Sequence, residues 1–352
     1  MASSRVIGLD IGTSAVRAAE VEFGSGRGGA RSASLVRYGQ VALPPSVVRD
    51  GEVADTVVVS RAIKELWAKT KFSSKDVVIG VGNQRVVVRP LDLPWMTPAQ
   101  LKESLPFQVQ ELLPVNIDDA LLDFCITGEG TGPQGRVVKG MLVAAQRDTV
   151  SANVLAVESA GLRPTMVDLN GFALLRGLAR GDLAERTIAF VDIGARFTNV
   201  VISERGLPAL VRIVPSGGQN VTDAVARALQ ISSPEAEQVK REIGFGFQSA
   251  PGREAAVEAI DQVCRALIES VRNTFVYYGG NHGGAIEAVV LTGGGAHLPG
   301  LGQYLSSSTR MQVVLGDPLQ SMKTARGFDR STISGSESLA ALPVGLAYGV
   351  AA

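Results

Sequence analysis

The pattern of hydrophobic positions changes its period several times along the chain. Short runs that are apolar at alternate or successive positions predict strands, as at Val6–Ile11 and Glu287–Thr292. Stretches with apolar residues three and four positions apart predict helices, the longest from Glu254 to Tyr278. Because strands and helices alternate in both halves, the pattern predicts an α/β fold with parallel or mixed sheets.

One local pattern occurs twice. An apolar strand runs into Asp10, a glycine turn and a second strand, Ala15–Phe23. The same order occurs around Asp192, which precedes the apolar strand Val200–Ile202. The repeat predicts a duplicated unit with a ligand held between the two turns.

The chain is long enough for two domains. A length of 352 residues allows each half to bury its own core. We predict a first domain over 1–186 and a second over 187–352. Residues 77–163 change in character and predict an α+β subdomain inserted in the first domain, and 214–280 predict a nucleotide-side subdomain of the second.

Local signals mark helix starts and one misleading motif. Ser60 is predicted to cap the first helix, and Thr97-Pro98-Ala99-Gln100 predicts a capping box in the insertion. The glycines of 24–29 match the dinucleotide-binding fingerprint, but the next predicted element is a strand rather than a helix. They therefore predict only a hairpin tip.

Composition excludes several classes of function. Apolar residues make up 45% of the chain, and the 34 basic and 34 acidic residues balance, which argues against a nucleic-acid footprint. Cys125 and Cys264 are too far apart for a metal-ligand spacing. The N-terminus runs directly into a strand, and no apolar run approaches the length of a membrane span. We therefore expect a cytosolic protein without direct membrane insertion.

The two turns are candidates for phosphate binding. The chain contains no P-loop motif. Glycine in each turn allows close approach of a phosphate, and backbone N–H groups can form an anion-binding nest. Asp10 and Asp192 would face each other and reach Mg²⁺ through its water shell. Either turn alone also fits an ordinary hairpin. The phosphate-binding residues are predicted to be Gly12, Thr13, Ser14, Gly194, Ala195 and Thr198.

Two further segments suggest a nucleoside site, and Gly217-Gly218 is predicted to open a helix. Gly293-Gly294-Gly295 follows a buried strand and leaves room for a base or ribose. Glu237 and Lys240 lie on one helix face and can bind ribose hydroxyls, although an exposed ion pair explains them equally well.

These segments together resemble the superfamily of actin, sugar kinases and heat-shock chaperones. The glycine pair followed by Thr222, and the later Ala236-Glu237-x-x-Lys240, are similar to its FtsA and MreB branch. Sequences in and after the insertion resemble the PilM family, FtsA-related proteins of type IV pilus machines. They are Arg89-Pro90-Leu91-Asp92-Leu93-Pro94-Trp95-Met96-Thr97, Leu112-Leu113-Pro114, Leu122-Asp123-Phe124, Ala160-Gly161-Leu162-Arg163-Pro164 and Val167-Asp168.

The resemblance implies an actin-like fold that binds ATP or ADP with Mg²⁺. It also implies that a groove between the first core sheet and the insertion holds the N-terminal cytoplasmic tail of PilN, and through it PilO indirectly. Pilus motor ATPases, the platform protein and self-association are further implied contacts. The protein would then lie at the inner face of the cytoplasmic membrane through its partner. Leu101, Leu105 and Phe107 are predicted to form the subdomain core rather than contact the peptide.

The resemblance also suggests weak or absent hydrolysis. Chaperone relatives have Glu-Pro where this chain has Asn170-Gly171, and an amide cannot act as a general base. Arg196, Phe197 and Asn199 also depart from hydrolytic relatives. Two alternatives stay open: an FtsA-like filament or division protein, and a small-molecule kinase. The C-terminal residues lack the basic amphipathic helix that FtsA proteins use for membranes.

Overall fold

The structure is a computed structural model that describes residues 4–24, 32–113, 115–133, 135–246, 251–282 and 284–350. The hairpin tip was predicted over 24–29, and of these residues only Gly24 lies within the described part of the chain. The strands are β1 (Ser4–Ile11), β2 (Ala15–Phe23), β3 (Ala33–Ala42), β4 (Val48–Arg49), β5 (Glu52–Val53), β6 (Asp76–Val81), β7 (Val86–Pro94), β8 (Ala120–Gly132), β9 (Gly135–Gln146), β10 (Arg163–Leu169), β11 (Thr187–Ile193), β12 (Thr198–Glu204), β13 (Leu207–Val214), β14 (Ala288–Thr292), β15 (Gln312–Leu315) and β16 (Lys323–Thr324). The α-helices are α1 (Thr56–Thr70), α2 (Pro98–Val109), α3 (Arg147–Ser159), α4 (Asn170–Leu178), α5 (Gly218–Leu229), α6 (Ser233–Ile243), α7 (Glu254–His282), α8 (Leu301–Thr309) and α9 (Ala341–Tyr348).

Two large sheets repeat one topology. The first has the strand order β10-β6-β1-β2-β3-β16, and the second has β15-β14-β11-β12-β13 when read in the same direction. In each, an antiparallel meander of three strands continues into parallel strands on the side of its first strand. The two Asp-Ile-Gly turns predicted a duplicated unit. The structure contains it, because both large sheets have the same strand topology.

A third sheet forms a separate layer within the first half. Strands β7, β9 and β8 pair antiparallel, and α2 covers one face with Leu101, Leu105 and Val109. The insertion was expected over 77–163, but β6 pairs with β1 in the main sheet and α3 packs on α1 and β10. The separate layer therefore uses residues 86–146.

The C-terminal segment returns to the first sheet. β16 pairs parallel with β3, and α9 packs against β1, β2 and α4. Helices α9 and α4 approach closely because Gly345 of α9 lies against the backbone of Ala173 of α4. A Cβ added at position 345 would lie 1.9 Å from the Ala173 carbonyl oxygen. Residues 323–348 thus belong structurally with the first sheet, although they fall within the range predicted for the second domain.

Local predictions for helices α1 and α2 had mixed outcomes. The Thr97 capping box is confirmed. The Ser60 cap is wrong, because the Asp55 carboxylate accepts the Val58 N–H at 3.0 Å and starts the helix earlier. Leu101 and Leu105 are buried as predicted, but Phe107 is 80% exposed and is not a core residue. Among the described helices, none combines the length and the apolar character needed to cross a membrane.

Candidate functional site

A cavity of about 880 Å³ lies between the Asp10-Ile11-Gly12 turn of the first large sheet and the Asp192-Ile193-Gly194 turn of the second. The cavity brings together residues that are distant in sequence. The first turn follows β1 and the second follows β11, and these two strands occupy equivalent positions in the two sheets. All but one of the predicted site residues line it: Asp10, Gly12, Thr13, Ser14, Asp192, Gly194, Ala195, Gly217, Gly218, Glu237, Lys240, Gly293, Gly294 and Gly295.

Thr198 is the exception. It is fully buried, and its hydroxyl donates to the Ser216 carbonyl at 2.8 Å. The prediction that this hydroxyl binds phosphate therefore has no support in the geometry. Its role is to fix the loop that leads to Gly217.

The two turns have the same backbone geometry. The Gly12 N–H donates to the Ala15 carbonyl at 3.0 Å, and the Gly194 N–H donates to the Phe197 carbonyl at 2.9 Å. A Cβ at either glycine would lie about 3 Å from that same carbonyl, at 3.1 Å and 2.9 Å respectively. Glycine therefore allows the backbone of each turn to close onto its own carbonyl.

The first turn has a charged neighbour that sequence reasoning missed. Arg17 lies opposite Asp10 in the β1–β2 register, and its guanidinium is 3.5 Å from the carboxylate. The pKa of Asp10 is raised to about 6, because burial and the charge of Asp192 raise it by more than Arg17 lowers it. The position of Arg17 could have been predicted from the sequence, because antiparallel pairing of β1 with β2 places Arg17 on the same face of the sheet as Asp10.

The second turn differs at the equivalent position. Asn199 lies opposite Asp192 in the β11–β12 register and is buried. The Thr292 hydroxyl donates to Asp192 at 3.0 Å. Burial raises the pKa of Asp192, and hydrogen bonds from Thr292 and Asn199 oppose that rise. Asp192 therefore has neutral hydrogen-bond donors where Asp10 has a cation opposite it, although the charge of Arg17 also lowers the pKa of Asp192.

The start of α5 is attached to the second turn. The N–H groups of Gly218 and Gln219 donate to the carbonyls of Gly194 and Ala195 at 2.9 and 2.8 Å. A Cβ at Gly217 would lie 2.4 Å from the Gly194 oxygen, so only glycine permits this approach. These N–H groups have backbone partners, and the glycine pair positions the helix against the turn.

Lys240 is buried in a hydrogen-bond network with Glu237, whose own side chain is 32% exposed. The Lys240 ammonium donates to the Glu237 carboxylate at 2.5 Å, to the Thr222 hydroxyl at 2.9 Å and to the Gly218 carbonyl at 3.2 Å. Lys240 is only 7% exposed. Although desolvation raises the pKa of Glu237, hydrogen bonds from Lys240 and Thr222 bring it below its usual value. The network joins α5 and α6 at the cavity wall.

The glycine run after β14 fits against the second turn. Gly293 has φ +81°, and a Cβ there would lie 2.5 Å from the Ile193 carbonyl and 2.7 Å from an Asp192 oxygen. A Cβ at Gly295 would lie 2.4 Å from the Ile193 side chain. Gly294 has open space around it. The backbone of these three glycines therefore forms part of the cavity surface. Side chains at these positions would take up space in the cavity or against the second turn.

The donor set fits a hydrated Mg²⁺. Asp10 and Asp192 are hard oxygen donors, and the buried side-chain oxygens of Asn170 and Asn199 have no hydrogen-bond partner. Such oxygens can accept hydrogen bonds from metal-bound water. Within the part of the chain that the structure describes, no group of three or more His, Cys, Asp or Glu is placed to hold a metal directly. The two carboxylates and the two unpartnered amide oxygens fit a metal ion bound through water.

Comparison with known proteins agrees with this architecture. The family model for type IV pilus assembly protein PilM matches residues 8–349. A solved structure of a PilM–PilN type IV pilus biogenesis complex superposes with a TM-score of 0.84 and 26% identity, covering 98% of both chains. MreB5 of Spiroplasma citri bound to AMPPNP superposes with a TM-score of 0.51 and 15% identity, covering 97% of this chain and 94% of its own.

Curated relatives match over shorter segments. FtsA of Bacillus subtilis is 28% identical over 110 residues, which are 31% of this chain and 25% of that protein. The match thus spans about a quarter of the FtsA chain. The predicted actin-like α/β fold is confirmed by the solved structures. With a family model that covers nearly its full length, the chain belongs to the family of type IV pilus assembly protein PilM.

Proposed function

We propose that this protein is a nucleotide-binding scaffold of type IV pilus assembly that holds the N-terminal tail of PilN. The observation that carries the proposal is the cavity between two duplicated Asp-Gly turns in a chain of the PilM family. MreB5 of Spiroplasma citri has been solved with bound ADP and with bound AMPPNP, which supports the nucleotide, and the solved PilM–PilN complex supports the partner.

The nucleotide lies across the cavity in this proposal. The turns of Gly12 and Gly194 hold the phosphates, with Mg²⁺ bound through water to Asp10 and Asp192. When present, Mg²⁺ neutralises phosphate charge. The Glu237 carboxylate binds the ribose, Lys240 holds that carboxylate in place, and Gly293–Gly295 leaves room for the base. ATP and ADP both satisfy this arrangement.

We expect little or no ATP hydrolysis, because Asn170 stands at the cavity where a catalytic base would be needed. It begins α4, and its amide oxygen has no hydrogen-bond partner. An amide does not take a proton from water, whereas a carboxylate in its place can. We predict that Asn170→Asp raises Mg²⁺-dependent phosphate release by about tenfold or more.

The assay compares the wild-type protein, Asn170→Asp and an Asp192→Ala control. Wild-type release should not exceed that of the control. Robust wild-type release that needs Mg²⁺ and Asp192 would show that the chain is an active ATPase. The Asp substitution has nearly the same shape as the native residue, so folding should not confuse the result.

The PilN tail is proposed to lie between the insertion and the first core sheet. Within the described residues, β8 and β10 each pair with a neighbour on one side only. Cys125 of β8 packs against a buried cluster that includes Leu169 of β10 and Phe172 of α4. Exposed apolar side chains occur on β8 and on β10, at Leu121 and Met166. Two free strand edges with apolar side chains suit an extended peptide.

A PilN N-terminal peptide titrated onto the full chain, with and without ATP, tests this groove. We predict binding, weakened about tenfold or more by Met166→Asp, because a carboxylate would be buried without a partner. Phe107→Asp serves as the matched control, since Phe107 is exposed on α2, which covers a face of the insertion. Absence of binding in both nucleotide states would favour a filament or kinase function.

The same proposal includes the domain division and the wider assembly. We propose that the first domain comprises 1–186 with the returning segment 317–350, and that the second comprises 187–316 with its nucleotide-side helices in 214–280. PilN would then place the protein at the inner face of the cytoplasmic membrane. PilO would be reached indirectly, and motor ATPases, the platform protein or further copies of this chain would contact the remaining surface.

A further inference from the structure

Basic side chains are concentrated in one short segment of the first half of the chain. The whole chain balances 34 basic against 34 acidic residues, whereas 56–75 contains five basic residues and one acidic residue. This segment comprises helix α1 and the turn that leads into β6. Its five basic residues are all exposed, and we call them the basic face of α1: Arg61, Lys64, Lys69, Lys71 and Lys75.

The packing of α1 fixes which of its sides meets solvent. Ile63 and Leu66 are buried in the core beneath the helix, so its opposite side is exposed. Positions spaced by four, three and four residues line up along one side of a helix, here over about 16 Å. The exposed residues with this spacing are Val57, Arg61, Lys64 and Ala68. Arg61 and Lys64 therefore point the same way, and Lys71 continues the row at the C-cap.

Most of these cations lack a partner in the fold. Lys69 pairs with Glu65 at 2.5 Å. Among the residues that the structure describes, no carboxylate lies within 4.0 Å of the basic groups of Arg61, Lys64, Lys71 or Lys75. The helix dipole favours cations in the last turn, but Arg61 and Lys64 precede it. Neither ion pairing nor the helix dipole therefore accounts for the charges of Arg61 and Lys64.

We propose that the basic face of α1 adsorbs to an anionic membrane surface. The inference rests on the proposed function for the way in which the protein reaches the membrane, through PilN. Helix α1 lines no part of the 880 Å³ cavity, and its outer side is convex, so it suits an extended charged surface. Four of the five cations are lysines, whose compact hydrated charge suits diffuse attraction to many headgroups rather than a bidentate contact. The adsorbed face would orient a protein that PilN tethers.

The test measures cosedimentation of the full chain, without PilN, with two kinds of vesicle. One contains phosphatidylcholine alone, and the other also contains phosphatidylglycerol. At low salt the anionic vesicles should retain the wild-type protein and the neutral vesicles should not. About 0.5 M salt should abolish the retention, because it screens exposed charges.

A triple variant removes charge from the basic face. Lys64→Gln, Lys71→Gln and Lys75→Gln together should weaken binding to anionic vesicles at least about tenfold, since each cation near such a surface contributes about fivefold. Glutamine suits the left-handed backbone of Lys71, at φ +56°, because Gln230 caps α5 with φ +55°. The matched control, with the same net charge, changes exposed lysines of α2, β9 and β16: Lys102→Gln, Lys139→Gln and Lys323→Gln. It should bind vesicles within about twofold of the wild type.

Titration of the PilN peptide separates this inference from the proposed function. Both triple variants should bind the peptide as the wild-type protein does. No binding of the wild-type protein to anionic vesicles, or equal weakening in the two triple variants, overturns the role of α1 alone. Binding to soluble poly-glutamate but not to vesicles would assign the face to an acidic protein segment and overturn the membrane. Vesicle binding without peptide binding would instead contradict the PilN groove and leave this inference standing.

Discussion

Replacing Gly293 by alanine is expected to destabilise the protein by about 2–4 kcal/mol. Gly293 has φ +81° and ψ 167°, a conformation that residues with a side chain rarely adopt. The new Cβ would also lie 2.5 Å from the Ile193 carbonyl and 2.7 Å from Asp192. Because the strain falls on the second turn, we further expect loss of Mg²⁺-dependent nucleotide binding.

Gly294→Ala is the matched control for stability. Its added Cβ would have no neighbour closer than the Leu339 side chain at 4.0 Å, and its φ is not positive. Denaturant unfolding should show a change within about 0.5 kcal/mol for this variant. Equal stability of the two alanine variants would mean that Gly293 does not support the turn as described.

Replacing Glu20 by alanine is expected to cost about 3–5 kcal/mol of unfolding free energy. The Glu20 carboxylate is fully buried under the first sheet, where Arg37 donates to it at 2.8 Å and Arg5 lies 3.8 Å away. The Ser73 hydroxyl and N–H also donate to it. The substitution leaves these donors and charges without their shared acceptor.

The control for this prediction is Glu65→Ala. Glu65 pairs with Lys69 on the exposed face of α1, and such surface pairs contribute at most about 1 kcal/mol. Both variants are compared by denaturant unfolding at neutral pH. If Glu20→Ala costs no more than Glu65→Ala, the buried carboxylate does not organise the first sheet.

The parts of the site that depend on nearby residues could be predicted from the sequence. The Asp10 and Asp192 turns, and Gly293–Gly295, are short segments whose chemistry needs no knowledge of distant contacts. Their meeting in one cavity followed from the repeated strand–turn–strand pattern, since equivalent turns of duplicated sheets come together. The Thr97 capping box was likewise local.

Features that depend on tertiary contacts were missed or misjudged. The burial of Lys240 requires α5 beside α6, and its spacing from Glu237 alone also fits an exposed pair. Thr198 is turned towards Ser216 by the loop after β13. The return of the C-terminal segment is made by β16, whose two residues have no detectable period, and by α9, whose buried sequence does not indicate which sheet it packs on. The cap at Asp55 was missed because Ser60 presents a competing local signal.

Nucleotide binding in the cavity between the two turns is tested most directly by calorimetric titration of ATP with Mg²⁺ into the full chain and into Asp192→Ala. We predict saturable one-to-one binding to the wild-type protein, weakened at least about tenfold in the variant because the metal loses its buried carboxylate. Absence of binding to the wild-type protein, or equal affinity in the two proteins, would contradict the proposed site.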